Sequence, residues 1–257
     1  MRERCKKLML DGWGAALVLV PLLMLAPEIA RAVIAPELEK EGWREIPNPN
    51  KKENVFGLTP EGAIEVISND SVSTLYQPVE VDIDERPILA WRWRVDEPAP
   101  ATDLSVKSRD DCSLAVYAGF PFDPDKASFF ERMKRPLVES WVGDEAPGRV
   151  LRYVYCGSHE RDEVVESPYL GSAGVIKVLR PADSPTGAWF EERVDLAADY
   201  RAAFGEEPAD PTQLAIQADT DNTHSKSRAA NADLAFLPRE AAAAAARNAS
   251  GSGAPRR

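Results

Sequence analysis

Within ADTDNT (218–223), Asp219, Asp221 and Asn222 place two carboxylates and a carboxamide in four positions, at the end of the apolar run QLAIQAD (213–219). Such side chains accept hydrogen bonds from sugar hydroxyls and coordinate hard cations through oxygen. Asp219, Asp221 and Thr223 fall on positions 1, 3 and 5 of a calcium loop. His224, however, stands at the sixth position, where the turn needs glycine, and Ala230 at the twelfth, where a bidentate Glu belongs, so an EF-hand is excluded. Two roles stay open: Asp219 and Asp221 hold a calcium ion or a ligand at a strand end, or Asp and Asn cap their own turn, the commoner role. A second pair, Asp110-Asp111, precedes SLAVYAGF (113–120). If that strand lies beside 213–219, the two pairs of carboxylates meet and need a cation or a shared proton.

Arg92 and Arg94 in ILAWRWRV (88–95) are further candidate ligand contacts, on a strand face opposite Leu89, Trp91, Trp93 and Val95. A solvated sheet face explains them equally well. Trp91 and Trp93 point one way, as a sugar-stacking platform would, but they share that face with Leu89 and Val95, which favours a core. Nucleophilic catalysis has little support. His159 and His224 are the only histidines, GSAG (171–174) is not a nucleophile elbow, and CGSHE (156–160) puts Cys and His in one turn. Zinc lacks ligand spacing. An enzyme built from this chain would have to run on carboxylates, as glycoside hydrolysis does.

These residues need elements to position them, and the dominant period between Gly42 and Pro238 is two. Alternating runs at 63–68, 73–81, 88–95, 113–120, 151–156, 174–180, 189–196, 213–219 and 232–237 predict short strands, separated by turns such as Asn69-Asp70 and Pro147-Gly148. Pro78 demotes the second half of its strand to an edge or bulge. The pattern predicts a mainly β protein, an antiparallel sandwich or jelly roll. Two helices interrupt it: 123–134, with Asp123 as cap and Pro124 behind it, and 195–205, with Asp195 as cap and Gly205 as stop.

Four cationic residues before an uncharged run from Gly12 to Pro27, followed by Ala30-Arg31-Ala32, read as a signal peptide over 1–32. The expectation is an exported protein, periplasmic or secreted, with one domain over 33–239 and a low-complexity tail over 240–257. Losing the signal takes away five Lys/Arg and three Asp/Glu, moving the formal charge from −11 to −13. So acidic a chain is a poor partner for nucleic acid or an anionic membrane surface. Cys112 and Cys156 remain, and two separately buried thiols are favoured over a disulfide.

LAWRWRV (89–95), DDCSLAVYAGF (110–120), YVY (153–155), GAWFEERVDLAADYRAAFGEEP (187–208) and ADTDNT (218–223) together resemble a bacterial family known as domain of unknown function 3047. The resemblance runs from about Gly42 to Pro238. It implies an exported single-domain β-sandwich, similar in outline to galactose-binding-like carbohydrate modules, and strengthens the expectation that Asp110, Asp111, Asp219, Asp221 and Asn222 form one polar site. The function expected is non-catalytic binding of a carbohydrate or other polyhydroxylated ligand, with calcium as the candidate ion. The alternatives are a carboxylate-dependent glycan hydrolase or lyase, and a structural envelope protein.

Overall fold

The computed structural model describes residues 33–127 and 146–241, and between them residues 131–133, 135, 136, 139 and 143. The segment expected to be a signal peptide, nearly all of the segment expected to be a tail, and part of the expected 123–134 helix lie outside the described residues; within that last segment 124–126 form a turn instead of the expected first helical turn, and 131–133 are helical. Twelve strands are present among the described residues: β1 (Arg44–Pro47), β2 (Val55–Leu58), β3 (Ile64–Asn69), β4 (Val72–Pro78), β5 (Ile88–Glu97) and β6 (Cys112–Phe120), then β7 (Arg149–Tyr155), β8 (Val164–Ser167), β9 (Gly171–Arg180), β10 (Phe190–Asp195), β11 (Gln213–Asp219) and β12 (Lys226–Leu237). The helices are α1 (Pro36–Lys40) and α2 (Leu196–Phe204). None of the described helices is long and apolar enough to cross a membrane.

The strands form two sheets, one of seven in the order β1-β4-β11-β6-β7-β9-β8 and one of five in the order β10-β5-β12-β3-β2. This is the predicted mainly β sandwich, with one pairing the periodicity did not foretell. β7 and β9 run parallel, because β8 leaves an empty place beside β7 and the β8–β9 hairpin folds back to fill it. The strands missed from the sequence, β1, β2 and β8, have only four residues each, too few to display a period. The first half of β12 was missed because SRAAN contains almost no large apolar residue.

The inner faces of the two sheets supply the core. Leu89, Trp91, Trp93 and Val95 are at most 1% exposed, and the two indoles meet edge to face with centroids 5.3 Å apart. Tyr153 and Tyr155 of β7 close on them from the other sheet, at 5.6 Å each. Such ring pairs add about 0.5–1.5 kcal/mol each beyond the area they bury. Trp91 and Trp93 are therefore core, as their neighbours Leu89 and Val95 implied. α2 begins as expected: the Asp195 carboxylate accepts the Ala198 N–H at 3.0 Å, and Gly205 ends the helix in the left-handed region at φ 71°. Its Tyr200 packs on Phe120, centroid to centroid 4.5 Å.

A smaller apolar cluster covers part of the opposite, outer face of the seven-stranded sheet, where Leu104, Ala115, Val154, Ile176 and Val178 gather around Cys112 and Cys156. Those two cysteines are joined in a disulfide, which corrects the expectation of separate thiols. Antiparallel pairing sets Leu114 opposite Tyr155, so the start of β6 lies beside the end of β7 and brings the Cα atoms within 5.1 Å. A separation of 44 residues concealed that adjacency. Closing a loop of this length stabilises by about 4 kcal/mol in the chain-entropy account. Replacing both cysteines by Ser is expected to lower the urea unfolding free energy by roughly that amount, while alkylation of the native protein should label neither thiol until reductant is added. Ready labelling without reductant would contradict the bridge.

Candidate functional site

β11 pairs with β6 so that Asp219 sits opposite Cys112, past a bulge after Gln217. Asp110 and Asp111, just before β6, therefore lie alongside 219–223, which meets the condition the sequence set. Asp111 is fully buried and its two oxygens hold the turn. Oδ1 accepts the backbone N–H of Asn222 at 3.1 Å and its amide at 3.0 Å; Oδ2 accepts the backbone N–H of Thr223 at 2.8 Å and its hydroxyl at 2.5 Å. The turn is thus capped chiefly by a carboxylate a hundred residues distant, while its own Asp219 accepts the Asp221 N–H through Oδ1 at 3.4 Å, a local cap of the kind the sequence suggested. Thr220 anchors it from below, its N–H donating to the Ser71 carbonyl and its hydroxyl meeting Ser68 at 2.7 Å. Asn54 adds a bond from its amide to the Ala218 carbonyl at 2.8 Å.

With Thr220 turned inward, Asp219 and Asp221 face the other way, into a cavity of about 500 Å³ on the outer face of the seven-stranded sheet. That volume falls within the range of small-molecule sites. Asp110, Asn222, Tyr117, Arg152, Gln217 and Tyr169 also line it. Tyr117 and Arg152 are cross-strand partners on β6 and β7, and the guanidinium lies over the phenol ring, 5.4 Å from its centroid. The Tyr117 hydroxyl donates to Gln217 Oε1, and Gln217 Nε2 donates to Thr74 at 2.9 Å. Tyr169 donates to Asp110 at 3.0 Å from the rim, with half of its surface exposed.

Burial of like charges governs the electrostatics. Desolvation, reinforced by Asp110 and Asp221 and opposed by Arg152, pushes the Asp219 carboxyl up to about 8. Desolvation likewise raises Asp110, against the lowering effect of Arg152 and the Tyr169 hydroxyl. Burial pushes the Tyr117 and Tyr169 hydroxyls up to about 12, so both remain donors at neutral pH. Lys51 forms an ion pair with Asp221. For a metal, Asp111, Asp219 and Asp221 each offer an oxygen, all within 4.8 Å of one another. Hard oxygen donors suit calcium, which takes six to eight ligands. Asp111 already accepts four protein hydrogens and Lys51 stands on Asp221, so the protein contributes part of a coordination shell.

Arg92 and Arg94 do not join this site. They lie on the outer face of the five-stranded sheet, separated from the acids by both sheets and the core. There they flank the Trp189 ring at 5.2 and 5.0 Å and form ion pairs with Asp233 and Asp96. The strand alternation that set them opposite Trp91 and Trp93 also set them on the wrong side of the molecule. Arg92 lines a larger cleft of about 900 Å³ with Trp43, Trp189 and Asn231, but that cleft gathers no comparable set of buried charges. His159 bonds Glu163, and His224 bonds Asp70 on the surface. With Cys156 in a disulfide, CGSHE offers no thiolate.

Arg152, Tyr117, Gln217, Tyr169 and Lys51 were missed from the sequence. A signal for the first existed. In RVLRYVYC (149–156), Leu151, Tyr153 and Tyr155 make one apolar face while Val150, Val154 and Cys156 make another. A strand apolar on both faces is covered on both, so a lone Arg there is a buried cation.

The raised Asp219 carboxyl has a definite sign in stability. Below about pH 4 it is protonated in both folded and unfolded chains and contributes nothing. Between about 4 and 8 only the unfolded chain releases the proton, so stability falls as pH rises, and above 8 the whole cost is present. Asp219→Asn is expected to remove this component and to raise stability at pH 8 by on the order of 2 kcal/mol. Urea unfolding of both proteins at pH 5, 6.5 and 8 checks it; parallel curves at all three would contradict the assignment.

A search among curated proteins returns no match. Among solved structures, the chain is similar to the xyloglucanase domain of NopAA, a type three effector from Sinorhizobium fredii in complex with cellobiose. Identity there is 7% and TM-score 0.42, over 77% of this chain and 95% of that one. It is also similar to the mannan-recognising carbohydrate-binding module TmCBM27 (13%, TM-score 0.30, 80% and 92% covered). A third is winged bean acidic lectin complexed with methyl-α-D-galactose (11%, TM-score 0.30, 75% and 98% covered). Likenesses at these scores carry no weight for function. The family model described as "Protein of unknown function (DUF3047)" matches residues 41–235, most of the chain, and the protein belongs to that family.

Proposed function

We propose that the protein is an exported, non-catalytic β-sandwich that binds a carbohydrate or another polyhydroxylated ligand in the cavity over β11, β6 and β7. The observation that carries this reading is the convergence of buried carboxylates, a buried guanidinium and two tyrosines on one cavity of about 500 Å³. A sugar hydroxyl both donates and accepts. Asp110 and Asp221 supply acceptors, Arg152 supplies donors, the protonated Asp219 carboxyl can do either, and the half-exposed Tyr169 ring, with the Lys107 ammonium 5.6 Å from its centroid, stands at the rim. The Cys112–Cys156 bridge supports export, since an oxidising compartment sustains such a bond. Calcium enters as an ion that Asp219 and Asp221 would hold, displacing Lys51, with ligand hydroxyls and water completing its shell.

One observation favours a second reading, glycan hydrolysis. A carboxyl raised to about 8 beside another carboxyl in a cavity has the protonation a general acid requires. A purely structural envelope role has less support, because it predicts no cavity at the acidic turn.

Thermal unfolding with cello-, manno- and galacto-oligosaccharides, in EDTA or in calcium, tests these readings. A hundredfold excess over Kd is expected to stabilise by about 2.7 kcal/mol, and the shift should vanish in the folded Asp219→Ala/Asp221→Ala variant. A glycan shift that survives there would move the site elsewhere, and release of reducing ends on incubation would favour the hydrolase.

A further inference from the structure

Arg152 is nine-tenths buried and lines the cavity, yet its Nε and Nη2 find no hydrogen-bond partner among the described residues. Buried polar groups are ordinarily paired, and an unpaired buried guanidinium edge is costly. The two atoms are also not arbitrary. Nε–H and Nη2–H lie side by side on one edge of the guanidinium plane and form the fork that grips two adjacent oxygens at once. The ring of Tyr117 beneath the guanidinium, its centroid 5.4 Å away, supports that plane, and the bond from the Tyr117 hydroxyl to Gln217 holds the ring in turn.

A fork of this shape fits either a carboxylate or two neighbouring hydroxyls. The surrounding charge decides between them. Asp110 and Asp221 line the same cavity as carboxylates with Arg152 and Lys51 as its cations, Asp219 beside them keeps its proton at neutral pH, and the Asp111 carboxylate lies directly behind. A ligand carboxylate on the fork would face this surplus of negative charge at short range in a poorly solvated pocket. Two hydroxyls bring no charge, and their hydrogens, directed away from the fork, meet acceptors that a carboxylate ligand could not use. Donor edge and acceptor wall are thus complementary to a neutral diol and mismatched to a uronate.

Resting on the carbohydrate reading above, we infer that the Nε–Nη2 edge of Arg152, with the carboxyl groups of Asp110 and Asp219, is a subsite for a vicinal diol of a neutral sugar ring and discriminates against uronic acids. Arg152 is in this account the residue that sets specificity.

Titration calorimetry tests it with cellohexaose, mannohexaose and galactohexaose as neutral probes and trigalacturonate as the acidic one. Wild-type protein is expected to bind at least one neutral probe and to bind trigalacturonate at least tenfold more weakly. Periodate cleavage of the bound neutral probe between its vicinal hydroxyl carbons, followed by borohydride reduction, should weaken it at least tenfold; this arm uses wild-type protein and escapes any folding defect. Arg152→Lys keeps the charge and loses the fork, so it too should bind the intact probe at least tenfold more weakly, with its melting curve confirming the fold. Trigalacturonate binding as tight as the neutral probe would overturn the inference in favour of an anion site. Unchanged affinity in Arg152→Lys, or of the periodate-cleaved probe, would overturn the diol subsite while leaving carbohydrate binding intact. No binding of any glycan would overturn both.

Discussion

A carboxylate with no exposure to water must be surrounded by donors, and Asp111 meets that requirement with four hydrogens from two consecutive residues of another strand's turn. This connection has more consequences than any other in the site. It joins the entry of β6 to the exit of β11, fixes the conformation of 219–223, and directs Thr220 inward and its two flanking aspartates outward. Hydrogen bonds to an ionised group are worth about 1.5–3 kcal/mol each, net. Without such a clamp, two adjacent acidic turns at the same rim would repel each other and splay.

The clamp creates a problem that the rest of the site answers in part. Asp110, Asp219 and Asp221 are held close together out of water, where like charges are poorly screened. Arg152 and Lys51 return two positive charges. The remaining imbalance is expressed in Asp219, whose carboxyl holds its proton to about pH 8. Such an arrangement is a poor choice for stability alone, since buried charge is replaced at little cost by apolar packing. On the binding reading proposed above, these groups would instead be met by the hydroxyls of a ligand. The disulfide and the small apolar cluster around it brace the start of β6, which Asp111 immediately precedes, against the end of β7, the strand that carries Arg152.

Much of this was legible in the residues, unevenly. Leu89, Trp91, Trp93 and Val95 declare a strand and its buried face because every second position is large and apolar, and the structure keeps them so. Asp195 and Gly205 mark the ends of α2 by local chemistry that needs no tertiary context. Asp110, Asp111, Asp219, Asp221 and Asn222 stood out because acids are conspicuous at the ends of apolar strands, and strand order brings all five together. The same alternation misled for Arg92 and Arg94, since it tells which face of a strand a side chain takes but not which sheet the strand enters. Strand order is a long-range property; Arg152, Tyr117 and Gln217 come from three different strands and meet only through the β11-β6-β7 neighbourhood. The cysteine pair was hidden for the same reason.

The central claim is a location: ligand binds over β11, β6 and β7, not in the larger cleft beside Trp189 on the other sheet. Proton–nitrogen correlation spectra of the protein titrated with a bound oligosaccharide test it directly, because Arg152 Nε–H and the Trp189 indole N–H each report on one candidate. The account requires the Arg152 resonance and the backbone amides of Asn222 and Thr223 to shift together while Trp189, Arg92 and Arg94 stay in place. Saturable shifts at Trp189 and the two arginines beside it, with Arg152 unmoved, would contradict it.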